Sequence, residues 1–238
     1  MNEGLVATSL AVARGGKPVI HCIDMEIPPG RITALLGANG AGKSSLVLAL
    51  AGVLQSSGGR ITLDGKSIKG MRPEAVRRLG VAAVPEGHKI LTDLTVEENL
   101  RVAGTHLRRA ELDRAVEEAL ETFPELRNCY HLRGGQLSGG QQQMVVLAQA
   151  IVGRPRYILA DELSFGLAPV IVARLVPVMT RLAEMGVGVL LIEQFTHIAL
   201  KIAHHAYVMD RGRIRFSGTP DELVGNPDIL HSAYLAPS

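Results

Sequence analysis

A chain of 238 residues, 47% of them apolar, is long enough to bury one sizeable core and is read as one domain, or one domain with a subdomain. Its formal net charge of +2, aromatic content of 3% and lack of tryptophan offer nucleic acid neither a basic surface nor stacking platforms, so no nucleic-acid partner is expected. The two cysteines, Cys22 and Cys129, match no metal spacing and read as unpaired thiols of a reduced compartment. The apolar stretch from Leu5 to Ala13 follows Glu3 and no Lys or Arg, which suits a strand rather than a leader peptide. No apolar run reaches the roughly 18 residues needed to span a bilayer, so any membrane span is expected from other chains.

Apolar segments between residues 5 and 36 are broken by Arg14-Gly15-Gly16-Lys17-Pro18 and by Pro28-Pro29-Gly30, the pattern of strands joined by tight turns. Gly37-Ala38-Asn39-Gly40-Ala41-Gly42-Lys43-Ser44 then fits G-x-x-x-x-G-K-S/T. It stands between an apolar run, Ile32 to Leu36, and a helix-like run, Ser45 to Leu54, the strand-loop-helix setting a phosphate loop requires. Glycines at 37, 40 and 42 let the backbone curl so that successive N–H groups point at phosphate oxygens, and the helix N-terminus adds the positive end of its dipole. A nucleoside triphosphate is the implied ligand, with Lys43 reaching the β- and γ-phosphates and the Ser44 hydroxyl holding Mg2+.

Beyond the loop, Ser56-Ser57-Gly58-Gly59 is read as a break, Arg60 to Asp64 as a strand entering an Asp64-Gly65 turn, and Val81 to Val84 as a buried strand stopped by Pro85. From about Glu86 to Gly153 charged, amphipathic stretches such as Thr95 to His106 and Ala110 to Phe123 predict a helical subdomain, with Thr95 and Glu98 at capping-box spacing. Strand patterns return at Tyr157 to Ala160, Val187 to Ile192, Ala206 to Met209 and Arg213 to Phe216, alternating with helical stretches at Pro169 to Met185 and Thr196 to Ala203. The expected fold is therefore α/β, a largely parallel sheet with helices on its faces, its core formed by 1–85 and 154–238 and its helical subdomain by 86–153.

Two further motifs bear on the loop. Tyr157 to Glu162 is an apolar strand ending in two carboxylates, and strand ends of parallel sheets are where ligands bind. Asp161 is the candidate to hold Mg2+, and Glu162 the candidate to polarise the attacking water. In Leu137-Ser138-Gly139-Gly140-Gln141-Gln142-Gln143-Met144, Ser138 is a good N-cap, and the two glycines bring bare amides to a helix N-terminus, a second phosphate cradle. Other residues read as ordinary structure. His204 and His205 are adjacent and point about 100 degrees apart on a helix, a poor metal pair. Arg72, Arg77, Arg78, Arg108 and Arg109 are interleaved with Glu74 and Glu111, which favours a solvated face over a docking surface for a membrane partner, and Met144 and Met179 suit a core.

The segment from Leu137 to Met144 resembles the signature motif of the ATP-binding cassette (ABC) family, and phosphate loop, signature and acidic strand stand in that family's order and spacing. The resemblance covers essentially the whole chain. It implies a phosphate-loop NTPase fold with a RecA-like core, an N-terminal antiparallel β part and an inserted helical subdomain. It also implies two ATP molecules sandwiched between two subunits, each phosphate loop (Gly37 to Ser44, with Ser45) facing Ser138, Gly139, Gly140 and Gln141 of the other subunit. Ser164-Phe165-Gly166-Leu167 resembles the loop that contacts the opposite subunit. Arg14 falls where an aromatic residue usually stacks on adenine, and its planar guanidinium can either stack there or stay solvated. Ala38 and Leu163 stand where proline is common.

Two departures narrow the resemblance. Glu86 replaces the usual glutamine after the fourth strand, keeping an oxygen ligand for Mg2+ or for the lytic water, and Gln194 replaces the usual switch histidine. With Leu94 to Leu100, Gly166 to Pro169 and Asn226-Pro227-Asp228, they resemble the smaller ATPase subunit of bacterial branched-chain amino-acid importers, a pattern that urea and short-amide uptake systems share. What this implies is a Mg2+-dependent ATPase peripheral to the cytoplasmic face of the inner membrane. Its partners would be a larger ATPase as heterodimer (or a second copy when isolated), two transmembrane permeases and, indirectly, an extracytoplasmic solute-binding protein. The alternatives are a non-transport ABC ATPase, whose chains usually carry tandem cassettes or a long coiled-coil insertion where this sequence has neither, and an ATP-binding but hydrolysis-poor regulatory module, which the intact Glu162 opposes. Because Gln194 does not titrate, the ATPase rate is expected to show no ionisation near pH ~6.5 from the switch position. A pH–rate profile that Gln194→His alone alters in that region supports this, and an unaltered one counts against it.

Overall fold

The computed structural model describes residues 4–84, 90–162, 169–193 and 196–235. Gly15 and Gly16, both with positive φ, close the two-residue turn between β1 (Leu5–Arg14) and β2 (Lys17–Ile27), which run antiparallel as a twisted hairpin prefers. After β3 (Ile32–Leu36), the loop 37–42 and α1 (Lys43–Leu50), the chain returns to the other side of β1 with β4 (Ser56–Leu63) and the short β5 (Lys66–Ser67). Asp64 and Gly65, both left-handed, make the expected turn between these last two strands. The result is a four-stranded antiparallel sheet of order β2-β1-β4-β5.

Next come α2 (Pro73–Arg78) and β6 (Val81–Val84), then the helices α3 (Val96–Ala103), α4 (Arg109–Thr122) and α5 (Gly139–Val152). The chain continues with β7 (Tyr157–Asp161), α6 (Pro169–Glu184), β8 (Gly188–Ile192), α7 (Thr196–Ile202), β9 (His205–Asp210), β10 (Arg213–Gly218), α8 (Pro220–Val224) and α9 (Pro227–Leu235). The second sheet has the order β10-β9-β3-β8-β7-β6, parallel throughout except for the antiparallel edge strand β10. β3, β7 and β8 are buried at every residue, because both faces of the sheet are covered. Their side chains alternate: Ala34, Leu36, Ile158 and Leu191 pack towards the helices, while Leu35, Leu159, Leu190 and Ile192 pack towards α1 and the antiparallel sheet. Met144 and Met179 lie in the helix-side core, as expected. Among the described residues no helix is long and apolar enough to cross a membrane.

Two sequence expectations are corrected. The helical run does not continue to Leu54: α1 stops at Leu50 in a Schellman cap, with Gly52 N–H donating to Ala49 O and Val53 N–H to Leu48 O. The apolar residues beyond it simply hid the stop. Nor do Ser56 to Gly59 form a break, since they belong to β4. A side chain on Gly59 would lie 2.2 Å from Ser9 O, at a register irregularity where Ser9 itself has φ 47. The glycine marks a bulge rather than a loop.

The capping box of α3 forms as predicted, with Glu98 N–H donating to the Thr95 hydroxyl and Thr95 N–H to the Glu98 carboxylate. One turn on, Asn99 is fully buried. Its Nδ2 donates to Leu91 O, Leu94 O and Thr95 O, and its Oδ1 accepts from Leu91 N–H and from Gln149 Nε2 on α5. One side chain thus ties the 91–95 segment to two helices. Removing it strands several buried backbone groups, so Asn99→Ala is expected to cost about 3 kcal/mol of stability. Urea unfolding measures this, and a loss below about 1 kcal/mol would mean that water or neighbouring groups replace the amide.

Candidate nucleotide site

The phosphate loop begins where β3 leaves the sheet. Gly37, at φ 148, has no room for a side chain: a Cβ there would sit 2.1 Å from Met209 O at the end of β9. Gly42 is left-handed at φ 109 and serves as N-cap of α1, with Val19 O 3.0 Å from where a Cβ would stand. Backbone groups also hold the loop from behind, Gly212 N–H donating to Ala41 O at 2.8 Å and Gly37 N–H to the Tyr234 hydroxyl at 3.2 Å. The loop's curvature is therefore imposed by its surroundings as well as permitted by its glycines.

Lys43 folds back over the loop, its Nζ donating to Gly37 O at 2.8 Å and Ala38 O at 3.0 Å. At 7% exposure, burial pushes its pKa below the ordinary lysine value, and the carboxylates of Glu162 and Asp161 act in the opposite direction. A triphosphate arriving beside this ammonium supplies the negative charge that burial leaves wanting.

In front of the loop lies a cleft of about 510 Å3. Asn39, Gly40, Gly42, Lys43, Ser44 and Ser45 form its floor, while Arg14 and Val19 from the β1–β2 hairpin and Glu162 close its sides. Glu162 reaches the cleft by leaving β7 with a left-handed backbone, φ 51, uncommon for any residue but glycine. Its N–H still donates to Ile192 O at 2.9 Å, which anchors the turn to β8. Asp161, 4% exposed, is the last residue of β7.

The structure thus brings together Arg14, Asn39, Gly40, Gly42, Lys43, Ser44, Ser45 and Glu162 around one cleft, with Gly37, Ala38 and Ala41 framing it from behind. Ser138, Gly139, Gly140 and Gln141 are not part of its lining. They open α5 on the surface, where Ser138 N–H donates to Gln141 Oε1 and Gln141 N–H to Ser138 Oγ, a capping box that the sequence reading saw only as an N-cap. Glu86, Gln194 and the segment Ser164 to Leu167 lie outside the described residues. Val19 and Tyr234 were not legible as site residues, since neither belongs to a motif. The two histidines have structural partners: His204 Nδ1 accepts from Ile32 N–H and His205 Nε2 pairs with Ser217 Oγ.

Among the described residues no group of three or more His, Cys, Asp or Glu side chains is placed to hold a metal by itself. A hydroxyl on Ser44 and a carboxylate on Asp161 are nonetheless hard oxygen donors of the kind Mg2+ takes when phosphate oxygens and water complete its shell. The donor set fits that cation and no soft metal.

A phosphate loop at the carboxyl end of a central parallel strand, with an acidic strand end across the cleft, defines a phosphate-loop nucleoside triphosphatase. Residues 20–164 match the ABC transporter family. The chain is 39% identical over 216 residues to BraG of Pseudomonas aeruginosa, a high-affinity branched-chain amino acid transport ATP-binding protein, covering 91% of this chain and 92% of that one. It is 30% identical over 231 residues to LptB of Escherichia coli, a lipopolysaccharide export system ATP-binding protein, covering 94% of each. Its fold superposes on the ADP conformation of an ATP-binding cassette of an ABC transporter with a TM-score of 0.88 over 100% of both chains, at 24% identity. This chain belongs to the ABC transporter family and is one of its ATP-binding, ATP-hydrolysing subunits.

Lys43→Met removes the ammonium but keeps the length and apolar body of the side chain. ATP affinity is expected to fall on the order of 100-fold, the loss of two charge-assisted hydrogen bonds. The nucleotide-free chain should unfold within a few degrees of the parent, because a costly buried charge has gone too. Equilibrium titration and thermal unfolding check both, and undiminished ATP binding would remove Lys43 from the site.

Proposed function

We propose that this chain supplies the ATPase activity of an importer of branched-chain amino acids. The observation that carries the solute class is the 39% identity across nearly the full length of BraG, against 30% for LptB. Glu86 and Gln194, in place of the family's usual glutamine and histidine, support the same reading from the sequence.

The geometry supports a division of roles. Lys43 and the amides of the loop bind the phosphates, with Arg14 beside the base, and Glu162, turned into the cleft, accepts a proton from water and aims it at the terminal phosphate. Ser44 and Asp161, with Glu86, would hold Mg2+, which supplies charge neutralisation at the phosphate oxygens. The exposed Ser138 to Gln141 turn is left to serve the cleft of a second subunit, a related larger ATPase or, in isolation, another copy. Gln194 would stand beside the terminal phosphate as a donor that does not titrate.

On this reading residues 1–85 and 154–238 form the nucleotide core and 86–153 the helical subdomain, beside which the membrane subunits dock. A groove of about 290 Å3 between α2, β6 and α5 supports it: Val53, 51% exposed, lines it with Pro73, Arg77, Val146 and Gln149. Met71 and Leu79, also exposed, bracket α2 at its two ends. Apolar surface of this kind, rimmed by arginine, suits a short helix from each of two permeases at the cytoplasmic face of the membrane. A solute-binding protein would act on the far side.

Glu162→Gln is expected to keep ATP affinity while lowering turnover about 10²- to 10⁴-fold, and so to hold the ATP-bound dimer closed. Pulled from its native membrane with ATP, the variant should bring down a second ATPase and two membrane proteins, whose solute-binding companion binds leucine, isoleucine or valine. Binding of urea alone, or recovery of a lipopolysaccharide-binding assembly, would replace the solute. Recovery of ribosomal or DNA-associated proteins alone would sink the transport reading.

A further inference from the structure

We propose that Tyr234, on the C-terminal helix α9, is a positioning residue that joins the phosphate loop to the head of α7. Its phenol oxygen accepts the Gly37 N–H at 3.2 Å and lies 3.4 Å from the Thr196 hydroxyl. The two groups it joins belong to segments 159 residues apart in sequence, by the subtraction 196 − 37.

The placement follows from the fold. Gly37 lies one residue beyond β3, so its N–H has passed the end of the strand and takes its partner from outside the sheet. α9 packs against β9, the neighbour of β3, with Ala233 buried and the Tyr234 ring half-buried, and this delivers a hydroxyl to that N–H. Thr196 is the first residue of α7 and follows directly on the segment that carries the switch candidate Gln194. One oxygen is therefore shared by the residue that opens the phosphate loop and the residue that opens the helix behind the switch.

The consequence comes from Lys43. The Gly37 carbonyl is one of the two acceptors that hold its ammonium without nucleotide. When Lys43 turns to a phosphate, that carbonyl gives up part of its interaction and Gly37 is free to adjust. Its N–H is then the point at which the adjustment passes, through Tyr234, to Thr196. The inference rests on the nucleotide reading of the cleft and adds to it a route by which loop occupancy reaches α7.

Hydrogen exchange on the full chain tests this, with ATP-γ-S and Mg2+ as the probe. Tyr234→Phe keeps the ring and removes the oxygen. Without nucleotide it is expected to speed exchange of the Gly37 amide about fivefold, the equivalent of one ordinary hydrogen bond, and each variant is then compared with the parent at ATP-γ-S concentrations that saturate it. In the parent, ATP-γ-S slows exchange across residues 196–202. That response is lost in Tyr234→Phe and in Thr196→Val, and the double variant behaves like either single one. A tyrosine that only packs would loosen α9 and leave the α7 response in place. Unchanged Gly37 exchange, or a response that persists in both single variants, overturns the bridge while nucleotide binding stands. A parent chain whose residues 37–45 gain no protection from ATP-γ-S overturns the nucleotide reading and the bridge with it.

Discussion

A backbone loop that turns its amides outward to a polyanion cannot use those amides to hold itself, so it has to be held from behind. Several distant parts of this chain answer that requirement. The supports come from distant parts of the sequence: Met209 O fills the space beside Gly37, Val19 O closes on Gly42, Gly212 N–H fixes Ala41 O and Tyr234 fixes Gly37 N–H. The hairpin before the loop and the last strands and helix after it are therefore as much a part of the site as the loop itself. Glycine is required at 37 because a neighbouring carbonyl occupies the place of a side chain, a stronger constraint than conformational freedom alone.

The parallel sheet supplies the second half of the arrangement. β3, β7 and β8 run the same way and are buried on both faces, so their carboxyl ends emerge on one side of the core. The phosphate loop continues β3 and the acidic pair ends β7, with β8 between them in the sheet. Glu162 then leaves the ladder with a left-handed backbone while its N–H remains tied to Ile192 O. A residue with a left-handed backbone and an amide anchored to β8 is turned by the sheet towards the cleft it lines.

What the sequence showed and what it hid divide along physical lines. Motifs whose chemistry is local were legible: the loop with its strand and helix, the capping box of Thr95, the N-cap of Ser138, the Asp64-Gly65 turn and the buried strands of the parallel sheet. Errors fell where one residue type serves two conformations. Gly52 ends α1 although apolar residues follow it, and Gly59 makes a bulge where a loop was expected, because a glycine in sequence does not say which close contact it permits. Val19 and Tyr234 had no local signal at all, since their places depend on which strands become neighbours. Asn99 stood inside a recognised segment, yet its role as a hub appears only once Leu91 and Gln149 are brought to it.

The same division explains why the transported solute is harder to read than the ATPase. Every residue around the cleft answers to ATP, and ATP is the same molecule whether the machine imports amino acids or exports lipopolysaccharide. On the proposed transport reading, the side chains that differ with cargo are those that meet the membrane partners, since the solute is met by the permeases and the solute-binding protein and not by this chain. On the proposed reading the candidates in this chain are the exposed Val53, Met71 and Leu79 with Arg77, whose guanidinium donates to Ala103 O and so links α2 to the end of α3. The groove lined by Val53, Pro73, Val146 and Arg77 would select a permease helix by shape and by one arginine, not by a motif. On that reading the information about cargo is carried indirectly, as complementarity to a partner that has itself been shaped by the solute.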